Sequence, residues 1–301
     1  MDFSKIDVRL LFVITLTCSI VTTNLKAYYI KKRVNRESQQ YSLNAIISLF
    51  CAVTIFIISG FDIKVSWYSV LLGIAFGGIT MLSSLISAKA IRIGPYGYTM
   101  VITNLSTAIT ALSGALFWGE KLSVFKIVGI ILMCLCFFLA IDTKAEEGKK
   151  ANLTWLLLCF ASLIFLASLG YMQKVHQTSN YKDELMPFLV VGFLTSVVGS
   201  SLGYLLYRKK EEKSEQFDKD DKGFTFFLIV CLICGICLAG NNALNLYLVG
   251  VVETAIFFPL GNGIPLLSTL IVSFIVFREK ISKKQLIGLL VGVIAIICLF
   301  L

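Results

Sequence analysis

The sequence predicts an all-α membrane protein, with ten transmembrane helices laid out as two inverted five-helix repeats. Three observations carry that expectation. The composition suits a chain dissolved in lipid, ten apolar runs each approach the thickness of a bilayer, and a short motif recurs at a fixed offset in the two halves.

Composition sets the solvent. Of 301 residues, 57% are hydrophobic and 15% are charged, and the mean hydropathy is +0.85. A soluble domain carries about a quarter charged residues because its surface faces water. The net charge of +9 does not indicate nucleic acid, because Lys and Arg fall in short clusters between apolar runs, where membrane topology places them. All nine cysteines lie inside apolar runs, which argues against a disulfide framework. Cys231, Cys234 and Cys237 form C-x-x-C-x-x-C, which a helix arranges along one buried face with no fourth ligand nearby. We therefore expect packing rather than cluster ligation. The single histidine, His176, follows the end of an apolar run and is expected in a solvated loop. So sparse a supply of His leaves zinc and Ser-His-Asp chemistry without residues, and no catalytic set, metal or cofactor is expected.

A membrane-spanning helix takes about 20 mostly apolar residues. Such runs fall at 8–30, 42–60, 66–89, 96–117, 124–141, 153–173, 185–207, 223–247, 254–277 and 284–301. The first is too long for a signal-peptide core and lacks a small-residue cleavage site, so it counts as a span. The longest connection, 208–222, is dense in charge of both signs and is expected as a solvated linker. An even number of spans puts both ends on one side. Only seven of the 27 basic residues (Lys5, Arg9, Lys64, Lys121, Lys126, Lys174, Lys182) fall on that side. The bias places both termini outside and the Lys31-Lys32-Arg33 loop in the cytoplasm.

The repeat is visible in Glu120-Lys121-Leu122-Ser123, followed by Gly129, which returns as Glu279-Lys280-Ile281-Ser282, followed by Gly288. Thr110 and Thr269 keep the same offset. A lysine also closes the first run of each half, Lys26 and Lys174. The chain thus divides into five-helix halves at 1–150 and 151–301. An odd number of spans per half inserts the second copy upside down, the usual layout of an alternating-access carrier. On these features the chain resembles the drug/metabolite transporter superfamily, specifically its ten-helix EamA-type permeases, over almost its whole length. The resemblance implies a central cavity between the halves and export of amino acids, other metabolites or toxic compounds. It also implies cytoplasmic termini, opposite to the charge count, and both orientations stay open here.

Polar side chains inside spans are costly unless they face protein or water, so their helical spacing marks the faces that can line a cavity. Stripes of this kind run through Thr15, Ser19, Thr22 and Lys26; through Gly73, Gly77, Thr80, Ser84 and Ser87; and through Thr99, Thr103, Ser106, Thr110 and Ser113. Others are Cys234, Cys237, Asn241 and Asn245, then Asn262, Thr269 and Ser273. Tight helix packing is the competing account for each Ser, Thr and Gly. The amides, Asn242 included, need donors and acceptors satisfied in a dry setting. The stretch from Pro259 to Pro265, with Gly261 and Gly263, predicts a kinked or unwound helix of the kind that marks binding sites in carriers. Lys26 and Lys174, near helix ends, are expected to snorkel to the interface or to meet an anionic or zwitterionic solute. Glu253 is expected at the interface.

The candidate substrate-binding residues are therefore Thr22, Lys26, Thr80, Ser84, Thr103, Asn104, Tyr171, Asn241, Asn245 and Asn262. The fifth and tenth spans carry almost no polar side chain and are expected to face lipid, or a second protomer through Gly288 and Gly292. The expected partners are the bilayer, a small-molecule substrate and this homodimer seam, without nucleic acid. The expected function is secondary transport, as an exporter in the plasma membrane, of small neutral or zwitterionic metabolites such as amino acids. The competing expectation is a multidrug exporter, against which the absence of carboxylates deep in the spans weighs.

Overall fold

The computed structural model describes residues 7–34, 36–61, 64–93, 99, 102–139, 152–212, 224–276 and 282–301. Glu279, Lys280 and Ile281 of the second motif, and most of the charged connection 208–222, lie outside the described residues. Ten α-helices are assigned among the described residues. They are α1 (Val8–Arg33), α2 (Glu37–Ile58), α3 (Trp67–Ile93), α4 (Ser106–Trp118), α5 (Val124–Leu139), α6 (Leu153–Gln177), α7 (Leu185–Glu212), α8 (Phe224–Val251), α9 (Thr254–Val276) and α10 (Lys283–Phe300). A 3-10 turn, Lys182–Glu184, leads into α7. No strand occurs among the described residues. Seven helices (α1, α2, α3, α6, α7, α8 and α10) are long and apolar enough to cross a membrane, and α5 and the first part of α9 are shorter apolar helices.

The helices begin and end where local chemistry dictates. Ser282 caps α10: its Oγ accepts the Gln285 N–H at 3.2 Å, and Gln285 Oε1 accepts the Ser282 N–H at 2.9 Å, which satisfies two donors at the helix start. Gly119 ends α4 in the left-handed region, at φ 65°, where a side chain would be strained.

Two compact units result, and neither coincides with a sequence half. One comprises Met1–Met81 and His176–Tyr247, the other Leu82–Val175 and Leu248–Leu301. In the first, α2 packs along α7, with Ser48 and Ser196 sharing a buried hydrogen bond at 3.2 Å. Interhelical bonds of this sort contribute about 0.6 kcal/mol in a membrane. Leu43 and Ile47 of α2 bury against Val230, Cys231 and Cys234 of α8, with Tyr29 of α1 at the edge. Cys231 and Cys234 of the cysteine run are thus part of an apolar seam. Close approach of α3 to α7 depends on glycine. A Cβ at Gly73 would stand 2.9 Å from the Phe188 carbonyl oxygen, and one at Gly77 would overlap the backbone carbonyl of Gly192. Here Gly73 and Gly77 of the α3 stripe serve packing.

In the second unit α5 packs along α10 and α4 along α9, with α9 also touching α5 and α10. Gly129 admits Leu299, and Gly292 admits Leu267 and Cys136. Gly288 and Gly292, expected as a seam for a second protomer, are therefore buried inside the chain's own unit. The outer faces of α5 and α10, with Val124, Ile131, Leu290 and Ile297 more than half exposed or nearly so, keep the apolar character expected of lipid-facing surface.

Three expectations are corrected. His176 is not a loop residue: α6 continues to Gln177 and the imidazole is fully buried. It stacks on Phe188 at 4.4 Å, with Ser69 Oγ 3.3 Å from Nε2 and Gln177 Nε2 3.2 Å from Nδ1. Both ring nitrogens are satisfied, so the helix stays regular beyond its apolar run. Lys174 does not snorkel; it is 7% exposed because Glu120 neutralises it. Nor is α9 unwound, since it passes through Pro259 and Pro265 as one helix. Each proline deletes one i→i−4 bond, which leaves the Ala255 and Gly261 carbonyls without their helical donors, and the remaining ladder holds.

Candidate functional site

Ionisable and amide groups held inside apolar helices are the features that need explaining. In the first unit Lys26, the last polar position of the α1 stripe, turns its Nζ to Asn44 Oδ1 at 3.0 Å. The side chain stays partly exposed. Eleven residues earlier on α1, about 16 Å by helical rise, the Thr15 carbonyl accepts a 3.2 Å bond from Asn241 Nδ2. Asn241 Oδ1 takes one of 2.7 Å from Asn245 Nδ2. Asn245 Oδ1 and Thr15 Oγ1 are buried with no hydrogen-bond partner, an arrangement that native interiors rarely tolerate.

In the second unit, the Glu120 carboxylate joins α6 and α9. Oε1 pairs with Lys174 Nζ of α6 at 2.9 Å, both side chains being largely buried. Oε2 accepts the backbone N–H and hydroxyl of Thr254, at 2.8 and 2.7 Å. Thr254 opens α9, so the carboxylate sits on that helix's positive end. Lys174 Nζ also donates to the Val249 carbonyl at 2.9 Å, in the last turn of α8, the negative end of that helix. Each charge therefore complements a helix dipole as well as its partner. Burial raises the Glu120 pKa, but hydrogen bonds from Thr254 and Lys174, with the Lys174 charge, outweigh it and hold the carboxyl below its ordinary value of 4.5. Gly114 leaves room for the arrangement, since a Cβ there would overlap Thr254 and Glu120. Lys126 and Glu253 form a second ion pair, with the Glu253 side chain 46% exposed, in keeping with its expected interfacial place.

The remaining candidates divide between the units. In the first, Thr22 and Thr80 bond back to their own helices, at Cys18 O and Phe76 O, each at 2.8 Å. In the second, Thr103 is buried and bonds to Thr99 O at 2.9 Å, while Thr110 and Ser113 likewise close onto α4 or the turn before it. Asn262 is exposed, with its Nδ2 3.2 Å from Thr107 Oγ1. No heavy atom lies within 4 Å of where a Cβ on Gly261 would be, beside the carbonyl that Pro265 frees. Tyr171 is 38% exposed and stands edge-on to Phe117 at 5.4 Å and tilted to Trp118 at 5.2 Å. Ser84 and Asn104 are partly exposed. The side chains of Thr269 and Ser273 lie outside the described residues.

Sequence reasoning missed Asn44, Thr254 and the role of Glu120. Asn44 and Ser48 lie four residues apart within one apolar run, a one-face spacing that was legible. The Lys174–Glu120 pairing was not, because it joins residues 54 positions apart on helices whose packing no local pattern specifies.

No family model and no curated protein matches this chain. Among solved structures, a crystal structure of a protein is similar over 96% of this chain and 96% of its own, with TM-score 0.73 and 13% sequence identity. That likeness concerns the fold alone.

Proposed function

We propose that the chain is a secondary transporter of small neutral or zwitterionic metabolites, amino acids among them, working by alternating access in the plasma membrane. One observation carries this reading: helices in corresponding places of the two sequence halves pack on each other. The second helix of one half lies along the second of the other (α2, α7), the fourth along the fourth (α4, α9) and the fifth along the fifth (α5, α10). Pairing of like with like supports ten spans in two inverted repeats at 1–150 and 151–301, and with them the resemblance to the drug/metabolite permeases. Such a layout has two pseudo-equivalent states in which the open side is exchanged. The lysines and amides within apolar helices supply the intramembrane polarity that a solute path needs. The aromatic group of Tyr171, Phe117 and Trp118 favours a second reading, an exporter of lipophilic or multidrug type.

Purified protein in liposomes tests both. Saturable exchange of at least one zwitterionic amino acid from a labelled panel, measured with and without a pH gradient, is the expected result. Exchange of cationic dyes with no amino acid moved would favour the second reading. Passive leak rates for the whole panel, in both gradients, would overturn both.

A further inference from the structure

We infer that Lys26 is the docking point for the carboxylate of the transported solute, an assignment that rests on the carrier reading and narrows it. The argument is a comparison between two lysines in equivalent places. Lys26 and Lys174 each close the first run of a sequence half. Lys174 is neutralised, with Glu120 Oε1 and the Val249 carbonyl each at 2.9 Å. Lys26 has one hydrogen bond, to the neutral Asn44 Oδ1 at 3.0 Å, and no carboxylate pairs with it among the described residues. Around Asn44 the wall is apolar or thiol: Leu43, Ile47, Cys231 and Cys234 are all buried.

An ammonium carries three donors, and Asn44 Oδ1 accepts one. An ion placed among apolar groups with a single neutral acceptor is held at a cost, unless an opposite charge completes its shell. Had Lys26 a purely structural part, a carboxylate such as the one facing Lys174 would be the economical arrangement. Residue 26 is also partly exposed. One ammonium beside one amide balances one unit of negative charge and supplies charge-assisted N–H···O bonds. That describes a carboxylate, and fits a zwitterionic solute better than a neutral one.

The test uses the full-length protein in liposomes, with a set of α-amino acids and the corresponding amino acid amides as probes. For wild type, at least one acid should exchange about tenfold or more faster than its amide, the worth of a charge-assisted bond in a dry site. Lys26→Met should abolish that preference, and Lys26→Arg should retain part of it. Lys26→Met should also melt at or above the wild-type temperature, because it removes a charge that no carboxylate balances among the described residues. Equal exchange of acid and amide by wild type, or an unchanged preference in Lys26→Met, overturns the inference and leaves the carrier reading standing. A lowered melting temperature with unaltered exchange per folded molecule makes Lys26 structural and also overturns it. Faster exchange of phosphate monoesters than of the acids, or protection of wild type over Lys26→Met by anionic lipid alone, assigns the site to another anion. If no probe exchanges, both readings fall together.

Discussion

Glu120→Gln is expected to lower the stability of the folded protein by about 3 kcal/mol, because it leaves the Lys174 ammonium buried without its counter-charge. The substitution keeps the shape of the side chain and most of its reach to Thr254, so the loss isolates charge from packing. It should appear as a fall of several degrees in the melting temperature in detergent. The pair is worth less than its breakage suggests, since two ions have also been taken out of water. The double variant Glu120→Gln with Lys174→Met is therefore expected to recover most of the loss, a non-additivity that a double-mutant cycle reads directly. Equal melting of wild type and Glu120→Gln would dispose of the idea. The pH dependence has a definite sign. The Glu120 carboxyl is held below 4.5 in the folded state, so its contribution is complete above that ordinary value. It is lost as pH falls through the lowered one. Wild type should lose its advantage over Glu120→Gln in that acid range.

The expected runs other than the fourth lie within a few residues of the described helices; against the run at 96–117 stands a helix from Ser106 to Trp118, with 94–98, 100 and 101 outside the described residues. Residues 153–173 became Leu153–Gln177 and residues 124–141 became Val124–Leu139. Apolar length alone is enough to place such elements, because unsatisfied backbone in lipid leaves a helix as the one local solution. Helix ends were less legible where polar residues continue a helix with tertiary help, as at Lys174 and His176, whose partners Glu120 and Ser69 are distant in sequence. Of the two outcomes that Pro259 and Pro265 announced, a kink or an unwound stretch, the unwound one does not occur, since the rest of the ladder in α9 absorbs the missing bonds. Of the candidate site, the amide positions Asn241, Asn245 and Asn262 were legible as polar atoms within apolar runs. Which of them would find partners was not. Asn245 Oδ1 remains orphaned although Asn241, one turn away, is bonded at both ends of its amide. Hydroxyls were less legible: Thr103 and Thr110 donate to backbone carbonyls of their own segment, as Asn24 and Asn242 also do, so a polar stripe alone does not separate packing from a solute path.

Gly77→Ala is the other large effect, expected to cost about 3 kcal/mol, at the upper end of the range for overpacking. The added methyl would overlap the backbone carbonyl of Gly192 on α7, and a backbone carbonyl cannot rotate aside. To admit it, α3 and α7 must separate along their crossing, and that loosens Gly73 against Phe188 and Val191 as well. Two neighbouring glycines calibrate the effect. Gly199→Ala on α7 would press on the sulfur and terminal methyl of Met81, the free end of a flexible side chain that can turn to another rotamer, so its loss should be small. Gly78→Ala meets nothing within 4 Å and should be neutral, or stabilising by up to about 1 kcal/mol through helix propensity. The expected order of melting temperatures is Gly78→Ala at or above wild type, Gly199→Ala slightly below, and Gly77→Ala far below. No truncation of a side chain on α7 to alanine should rescue Gly77→Ala, because the nearest obstructing atoms are the backbone carbonyl of Gly192, and the Thr195 Cβ at 2.9 Å survives such a truncation. Recovery of Gly77→Ala by trimming Val191 or Thr195 would show that side chains set the spacing of these helices, and would refute the backbone-contact account.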